Sequence, residues 1–257
     1  EKDNVLIRSN GTPTYFSTDI AYHYNKFVHR KFDAVIDVWG ADHQGQVPRL
    51  KSAMRMLGSD PEKLEMILVQ MVRFKKGEIT EKLSKREGNV VPLIELVREI
   101  GADACRFMFL SRSHESQLDF DLDLAKKQSS ENPVYYIQYG HARICSILGL
   151  AVERKIDYSS GSVALLDHES ERQLINKILE LPSVINTIAD TYEVHHLPHF
   201  SLELATSFHN FYQKCRVISE NESDLELSKA RLKLCEVAKL SLAYCLDLMG
   251  MNKPEKM

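Results

Sequence analysis

The apolar period of this chain changes near residue 128, and that change limits its possible folds more than any other feature. Before it, short apolar runs alternate with helical patterns. The run "DAVIDVWG" (33–40) is predicted to be a buried strand ending on glycine, and "KLEMILVQMV" (63–72) a second strand. Between them, "VPRLKSAMRMLG" (47–58) places Val47, Leu50, Ala53, Met54 and Leu57 on one helical face and stops at Gly58. Two more helices are predicted on either side of Gly101, in "PLIELVREIG" and "ADACRFMFLS". Strands alternating with helices imply a parallel α/β sheet, whose ligands sit at strand carboxyl ends. Beyond the change the period is helical throughout. Asn132 and Pro133 form an N-cap and N1 pair before "VYYIQYGHARICSILGL". A polar connection with a Ser–Gly turn, "ERKIDYSSGSVALLDHES", leads to helical stretches at roughly 169–181, 182–192, 202–218 and 229–249. The expected fold class is α/β plus all-α: an α/β domain over 1–127, then a helical bundle over 128–257.

Composition removes several function classes. The 257 residues carry a formal charge of −3, so any nucleic-acid partner must be met by local basic patches. The five cysteines (Cys105, Cys145, Cys215, Cys235, Cys245) include no C-x-x-C pair, so neither a zinc site nor a disulfide framework is indicated. Reduced thiols point to a cytoplasmic protein. No apolar run approaches 18 residues, so no membrane partner is expected. The opening "EKDNVLIRSNG" has neither a signal-peptide core nor an initiating Met, so the sequence is expected to start inside a longer polypeptide.

Three stretches carry chemistry. In "EITEKLSKREGN" (78–89), Lys82, Ser84, Lys85 and Arg86 crowd together before Gly88. Such a run is either a solvated basic surface or a phosphate cradle, in which lysines supply mobile charge and glycine admits an oxyanion to backbone N–H groups. In "WGADHQGQVPRL" (39–50), the strand ends at Gly40 and Asp42 and His43 follow at the turn into a helix. Asp42 either caps that helix or accepts the two hydroxyls of a ribose. In "TPTYFSTDIAYHYNK" (12–26), Tyr15 and Asp19 stand four residues apart, with Ser17 or Thr18 as the expected helix cap and Asp19 in the first turn. Asp19 either favours the helix N-terminus or faces a cationic ligand beside the Tyr15 hydroxyl.

Together these stretches resemble class I aminoacyl-tRNA synthetases. "KLSKR" (82–86) resembles the KMSKS signature, with Leu83 for Met and Arg86 for the last Ser. "GADH" resembles a strand-ending motif of the same catalytic fold. "TYFSTDIAYH", "SKREGNVVPL", "GADACRF", "NPVYYIQYGHARICSIL" and the ending "LDLMGMNKPEKM" are similar to the arginyl branch in particular. The order of these motifs covers nearly the whole chain.

That resemblance implies a partial Rossmann-like catalytic domain joined to a helical anticodon-binding domain. It implies that Lys82 and Lys85 embrace the triphosphate of ATP, that Ser84 is the signature serine, and that Gly40, Asp42 and His43 line the adenosine site. It places substrate arginine against Tyr15 and Asp19. It implies tRNA contacts from the helical half, where Tyr139, Arg143 and the terminal Met257 are the candidates. Mg2+ is expected only in company with ATP, with no dedicated protein metal site. The expected partners are L-arginine, ATP and an arginine tRNA, bound by a monomer. The His-rich HIGH turn and the N-terminal tRNA-elbow domain of arginyl enzymes are absent from these residues. The chain is therefore expected to be the C-terminal part of such an enzyme, inactive alone. The competing expectation is a non-catalytic tRNA-binding module in which only the helical half works. A cysteinyl or methionyl relative is disfavoured by the cysteine spacing and by "TYFSTDIAYH".

Overall fold

A computed structural model describes residues 3–76, 79–82, 92–127, 129 and 131–257. The described residues form two compact units, one of 1–71 with 114–117, the other of 72–113 with 118–257.

In the first unit, α1 (Tyr15–Tyr24) runs into a π-helical turn, and β1 (Val35–Gly40) pairs in parallel with β2 (Leu64–Val69). The register runs from Val35 opposite Leu64 to Gly40 opposite Val69. Parallel strands need a crossover, and α2 (Val47–Met56) supplies it. Val35, Leu50, Met54 and Leu64 form the core, with Phe16, Ile20, Phe27 and Trp39 packed on it.

Several local expectations change here. Thr14, not Ser17 or Thr18, caps α1: its hydroxyl accepts from the Ser17 N–H at 3.2 Å. The helix therefore starts at Tyr15 and Asp19 falls in its second turn, where the helix N-terminus offers it little. Strand β1 is not buried on both faces; Val35 and Asp37 point inward while Ile36 and Val38 are exposed. The single strand expected over 63–72 ends at Val69, and a new one begins at Val72 in the second unit.

The second unit opens with a three-stranded sheet in the order β4 (Ile79–Lys82), β3 (Val72–Lys76), β5 (Leu118–Asp121). Strand β3 is antiparallel to β4 and parallel to β5. Arg73 and Asp119 face each other in register and form a two-pronged ion pair at 2.7 and 3.1 Å. Helices α3 (Leu93–Ile100) and α4 (Ala102–Leu110) meet at Gly101, whose φ of +85° suits glycine. With α5 (Leu122–Lys126) they bury Leu96, Ala104, Cys105 and Phe120.

Five long helices complete the unit: α6 (Pro133–Glu153), α7 (Glu169–Leu179), α8 (Leu181–Thr191), α9 (His196–Lys214) and α10 (Leu225–Leu248). Asn132 caps α6 as expected, accepting from Val134 N at 3.0 Å. Its amide also donates to the carbonyls of Ala125 and Lys127, tying α5 to α6. Helix α9 begins six residues before its predicted start because "HLPHF" is largely buried against the bundle. Gly161 is required by close approach: a Cβ there would stand 2.7 Å from the Lys229 backbone of α10.

Candidate functional site

In the first unit, Tyr15, Asp19, Val38, Trp39, Gly40, His43 and Gln46 line an open cavity of about 510 Å3. Three elements converge there. Helix α1 puts Tyr15 and Asp19 one turn apart on one face. The carboxyl end of β1 brings Trp39 and Gly40, and a 3-10 turn (Ala41–Gln46) brings His43 and Gln46. Arginine-site and adenosine-site candidates thus share one concave surface. Asp42 does not line it; its side chain is 73% exposed, with Oδ2 3.7 Å from His43 Nε2. Gln46 donates to His43 Nδ1 at 3.1 Å, and the His43 ring stands edge-on to Trp39. A Cβ on Gly40 would lie 2.5 Å from Asp42 Oδ1, so this glycine gives the Asp42 carboxylate its room.

The Asp19 carboxylate is half-buried and makes no hydrogen bond or ion pair among the described residues. The Tyr15 ring is 85% exposed beside it. Underneath lies a network absent from the sequence analysis. The Asp19 backbone carbonyl accepts from His23 Nδ1 at 2.7 Å, His23 Nε2 meets Asp37 Oδ2 at 2.6 Å, and Lys26 donates to Asp37 Oδ1 at 2.9 Å. Burial alone would push the Asp37 carboxyl up. The hydrogen bonds and charges of His23 and Lys26 outweigh it and hold the group below its usual value. The signal was present in the sequence: a helix placing His23 and Lys26 on one face, opposite an aspartate in an otherwise apolar strand.

Of the phosphate-binding candidates, Lys82 ends β4, and Ser84 and Lys85 fall outside the described residues.

In the second unit, Tyr139, Ala142, Arg143, Ser146, Tyr212, Lys256 and Met257 are among the residues around a cavity of about 540 Å3. The structure thus brings Tyr139, Arg143 and Met257 together and adds Tyr212 and Lys256. The Arg143 guanidinium lies 5.2 Å from the Tyr139 ring centre and 4.7 Å from that of Tyr212. Tyr135 and His209 both stack on Tyr139, with ring centres 6.2 and 5.8 Å away. Burial, joined by the charge of Arg143, pushes the His209 imidazole below its usual value against the pull of a Tyr136 backbone hydrogen bond. Its Nε2 has no hydrogen-bond partner among the described residues. The basic run "KARLKLCEVAK" contributes less than its charge suggests. Arg231 pairs with the buried Glu171 at 2.6 Å, and Lys229 pairs with Glu226.

All five cysteines are free thiols, and no helix among the described residues is long and apolar enough to cross a membrane. Among the described residues, Glu193, His195 and His196 come close enough to share an ion, although a His196–Glu193 contact at 3.3 Å already accounts for two of them.

Residues 137–257 match the DALR anticodon binding domain. An arginine–tRNA ligase of Dehalococcoides mccartyi is 58% identical over 256 residues, covering 100% of this chain and 46% of that protein. A Campylobacter jejuni chain described as an arginyl-tRNA synthetase superposes with a TM-score of 0.84 at 35% identity, covering 100% of this chain and 55% of that one. The arginyl-tRNA synthetase of Thermus thermophilus shares the fold, with a TM-score of 0.77 at 23% identity over 99% of this chain and 51% of that one. The chain spans about half the length of the curated relatives it matches. The resemblance read from the sequence is borne out: along its whole length the chain is similar to part of an arginine–tRNA ligase.

Proposed function

We infer that this chain is the part of an arginine–tRNA ligase that recognises arginine and adenosine in its first unit and an anticodon loop in its second. The observation that carries the reading is the Asp19 carboxylate, half-buried and unpartnered among the described residues, beside Tyr15 in a cavity shared with Gly40 and His43. A carboxylate in that state suits a guanidinium, which offers paired, charge-assisted hydrogen bonds. Gly40 and His43 border the same cavity, within reach of an adenosine joined to the amino acid. Asp42 is free to turn toward the ribose because it is exposed.

In the proposed reaction the arginine carboxylate attacks the α-phosphorus of ATP and pyrophosphate leaves. A terminal ribose hydroxyl of the tRNA then attacks the carbonyl carbon of the arginyl-adenylate; the ester forms as the acyl–phosphate bond breaks, and AMP and the hydroxyl proton leave. No general base is needed for the first step, because a carboxylate is already ionised at pH 7. The protein positions the reactants and offsets charge growing on phosphate oxygens. Lys82, Ser84 and Lys85 are assigned that second task, and Mg2+ would arrive with ATP, held by phosphate and water. Lysine in place of arginine would leave Asp19 imperfectly paired, a difference that lets such sites discriminate by roughly 10⁴–10⁵ without editing. We place the catalytic part at 1–127 and the anticodon domain at 128–257, in a monomeric cytoplasmic enzyme.

The competing reading, a tRNA-binding module without catalysis, is supported by the Tyr139–Arg143–Tyr212 cluster, which lies wholly within the second unit. Arginine-dependent charging of tRNA decides between them. The full-length polypeptide should charge tRNA with arginine, while residues 1–257 alone should bind tRNA and leave it uncharged. A full-length polypeptide that binds tRNA but charges it with no arginine would favour the module.

A further inference from the structure

Chain ends fray unless something ties them down. The segment after α10 is tied at several points by partners far away in sequence. Gly250 turns the chain past Arg106, and Met251 is buried. The Asn252 backbone N–H and side-chain amide both donate to the Asp103 carboxylate at 3.2–3.3 Å. Gln138 donates from one amide nitrogen to Asp103 Oδ2 at 2.7 Å and to the Asn252 carbonyl at 2.8 Å. Buried His141 donates to the Pro254 carbonyl at 2.9 Å. Two residues later, Lys256 and Met257 reach the cavity of Tyr139, Arg143 and Tyr212. Neither Asp103 nor Gln138 lines that cavity.

We propose that Asp103 and Gln138 are positioning residues for RNA binding: their knot on Asn252 fixes the C-terminal segment so that Lys256 and Met257 stand ready at the Tyr139–Arg143–Tyr212 cavity. The proposal rests on the reading of that cavity as the site of an unpaired RNA loop. The physical argument is one of preorganisation. An untied segment would have to be ordered as RNA binds, and that cost subtracts directly from affinity. Asp103 is suited to the task because an ionised carboxylate accepts several hydrogen bonds at once, each stronger than a neutral one. Its position in the first turn of α4 makes it a rigid anchor. The point of leverage is Lys256, whose charge can meet a phosphate only if the backbone before it is held.

The test uses the full-length protein, with Asp103→Ala and Gln138→Glu, and a third form ending at residue 251. Gln138→Glu is nearly isosteric and sets a carboxylate against Asp103 and the Asn252 carbonyl, so it breaks the knot even if Asp103→Ala disturbs α4. Each variant should bind arginine tRNA about tenfold more weakly, by the ordering cost it restores. The slope of log affinity against log salt should fall by about 0.7, the loss of one contact to a single-stranded phosphate. Backbone amide exchange at Asn252 should speed up while the helical melting transition stays in place. In the shortened form neither substitution should change affinity further, because the segment it acts through is gone. Unchanged affinity and salt slope in both variants, with binding still lost on shortening, would overturn the knot and spare the RNA site. The same would follow from an additive loss in the shortened form. Equal binding of cognate and non-cognate tRNA by the unaltered protein would overturn the RNA site and the knot with it.

Discussion

Replacing Asp37 with Asn keeps the side chain's shape and removes the charge that His23 and Lys26 share. The site is enclosed: His23 is 3% exposed, Asp37 8% and Lys26 13%. Removing one member of a buried pair typically costs 3–5 kcal/mol. Asparagine can still accept from His23, and the Lys26 head can swing toward solvent, so we expect a smaller loss of about 2–3 kcal/mol. That corresponds to roughly a 30- to 150-fold rise in the unfolding constant of the first unit. The chain's single tryptophan, Trp39, packs on that unit's core and reports its unfolding separately from the helical bundle. Urea titrations followed by tryptophan fluorescence therefore read the effect directly. The pH dependence fixes the cause. The Asp37 carboxyl is held below its usual value, so its contribution is full above about pH 4 and is lost as pH falls through the lowered folded value. The gap between the native protein and Asp37→Asn should be constant from pH 7 to 5 and close below 4. An unchanged urea midpoint at pH 7, or a gap that persists to strongly acid pH, would show that the Asp37 charge does not stabilise this unit.

Three further outcomes follow from the second unit. Arg143→Ala should weaken tRNA binding about tenfold or more and lower the salt slope by about 0.7 in filter-binding titrations, because we propose that the guanidinium packed on Tyr139 and Tyr212 is an RNA contact. Gly161→Ala should lower bundle stability by about 1–3 kcal/mol in thermal melts by circular dichroism, since the added methyl has only the Lys229 backbone to displace. Burial holds the His209 imidazole below its usual value, so the unfolded chain takes up a proton first and the bundle loses stability as pH falls below about 6.5; His209→Leu should flatten that decline in melts run from pH 7.5 to 5.5.

The sequence made the helices of the second unit legible because their apolar faces repeat over many turns and their caps are explicit, as at Asn132–Pro133 and Gly101. Short elements were harder. The break between β2 and β3 at Gln70–Met71 carries no glycine or proline, so an apolar run interrupted only by Gln70 concealed a change of sheet. Strand β1 looked wholly buried because Ile36 and Val38 are apolar, yet exposure depends on what covers a face, and periodicity cannot supply that. In the site, Tyr15, Asp19, Gly40 and His43 were found from motif order, and the structure gives them one cavity. The support beneath them was missed because His23 and Asp37 lie fourteen residues apart on different elements. Charge alone does not tell which basic residues are free: Arg231 is committed to the buried Glu171, 60 residues away in sequence. The knot of Asp103 and Asn252 joins residues 149 positions apart, beyond any local pattern.

We propose Asp19 as the partner of a guanidinium, and steady-state charging by the full-length polypeptide, comparing Asp19→Asn with the native protein, tests that assignment. The arginine KM should rise by about 10²-fold or more, as expected when a charged hydrogen-bonding partner worth roughly 3 kcal/mol is lost, with the KM for ATP nearly unchanged. An arginine KM that stays in place, whatever happens to stability, would contradict it.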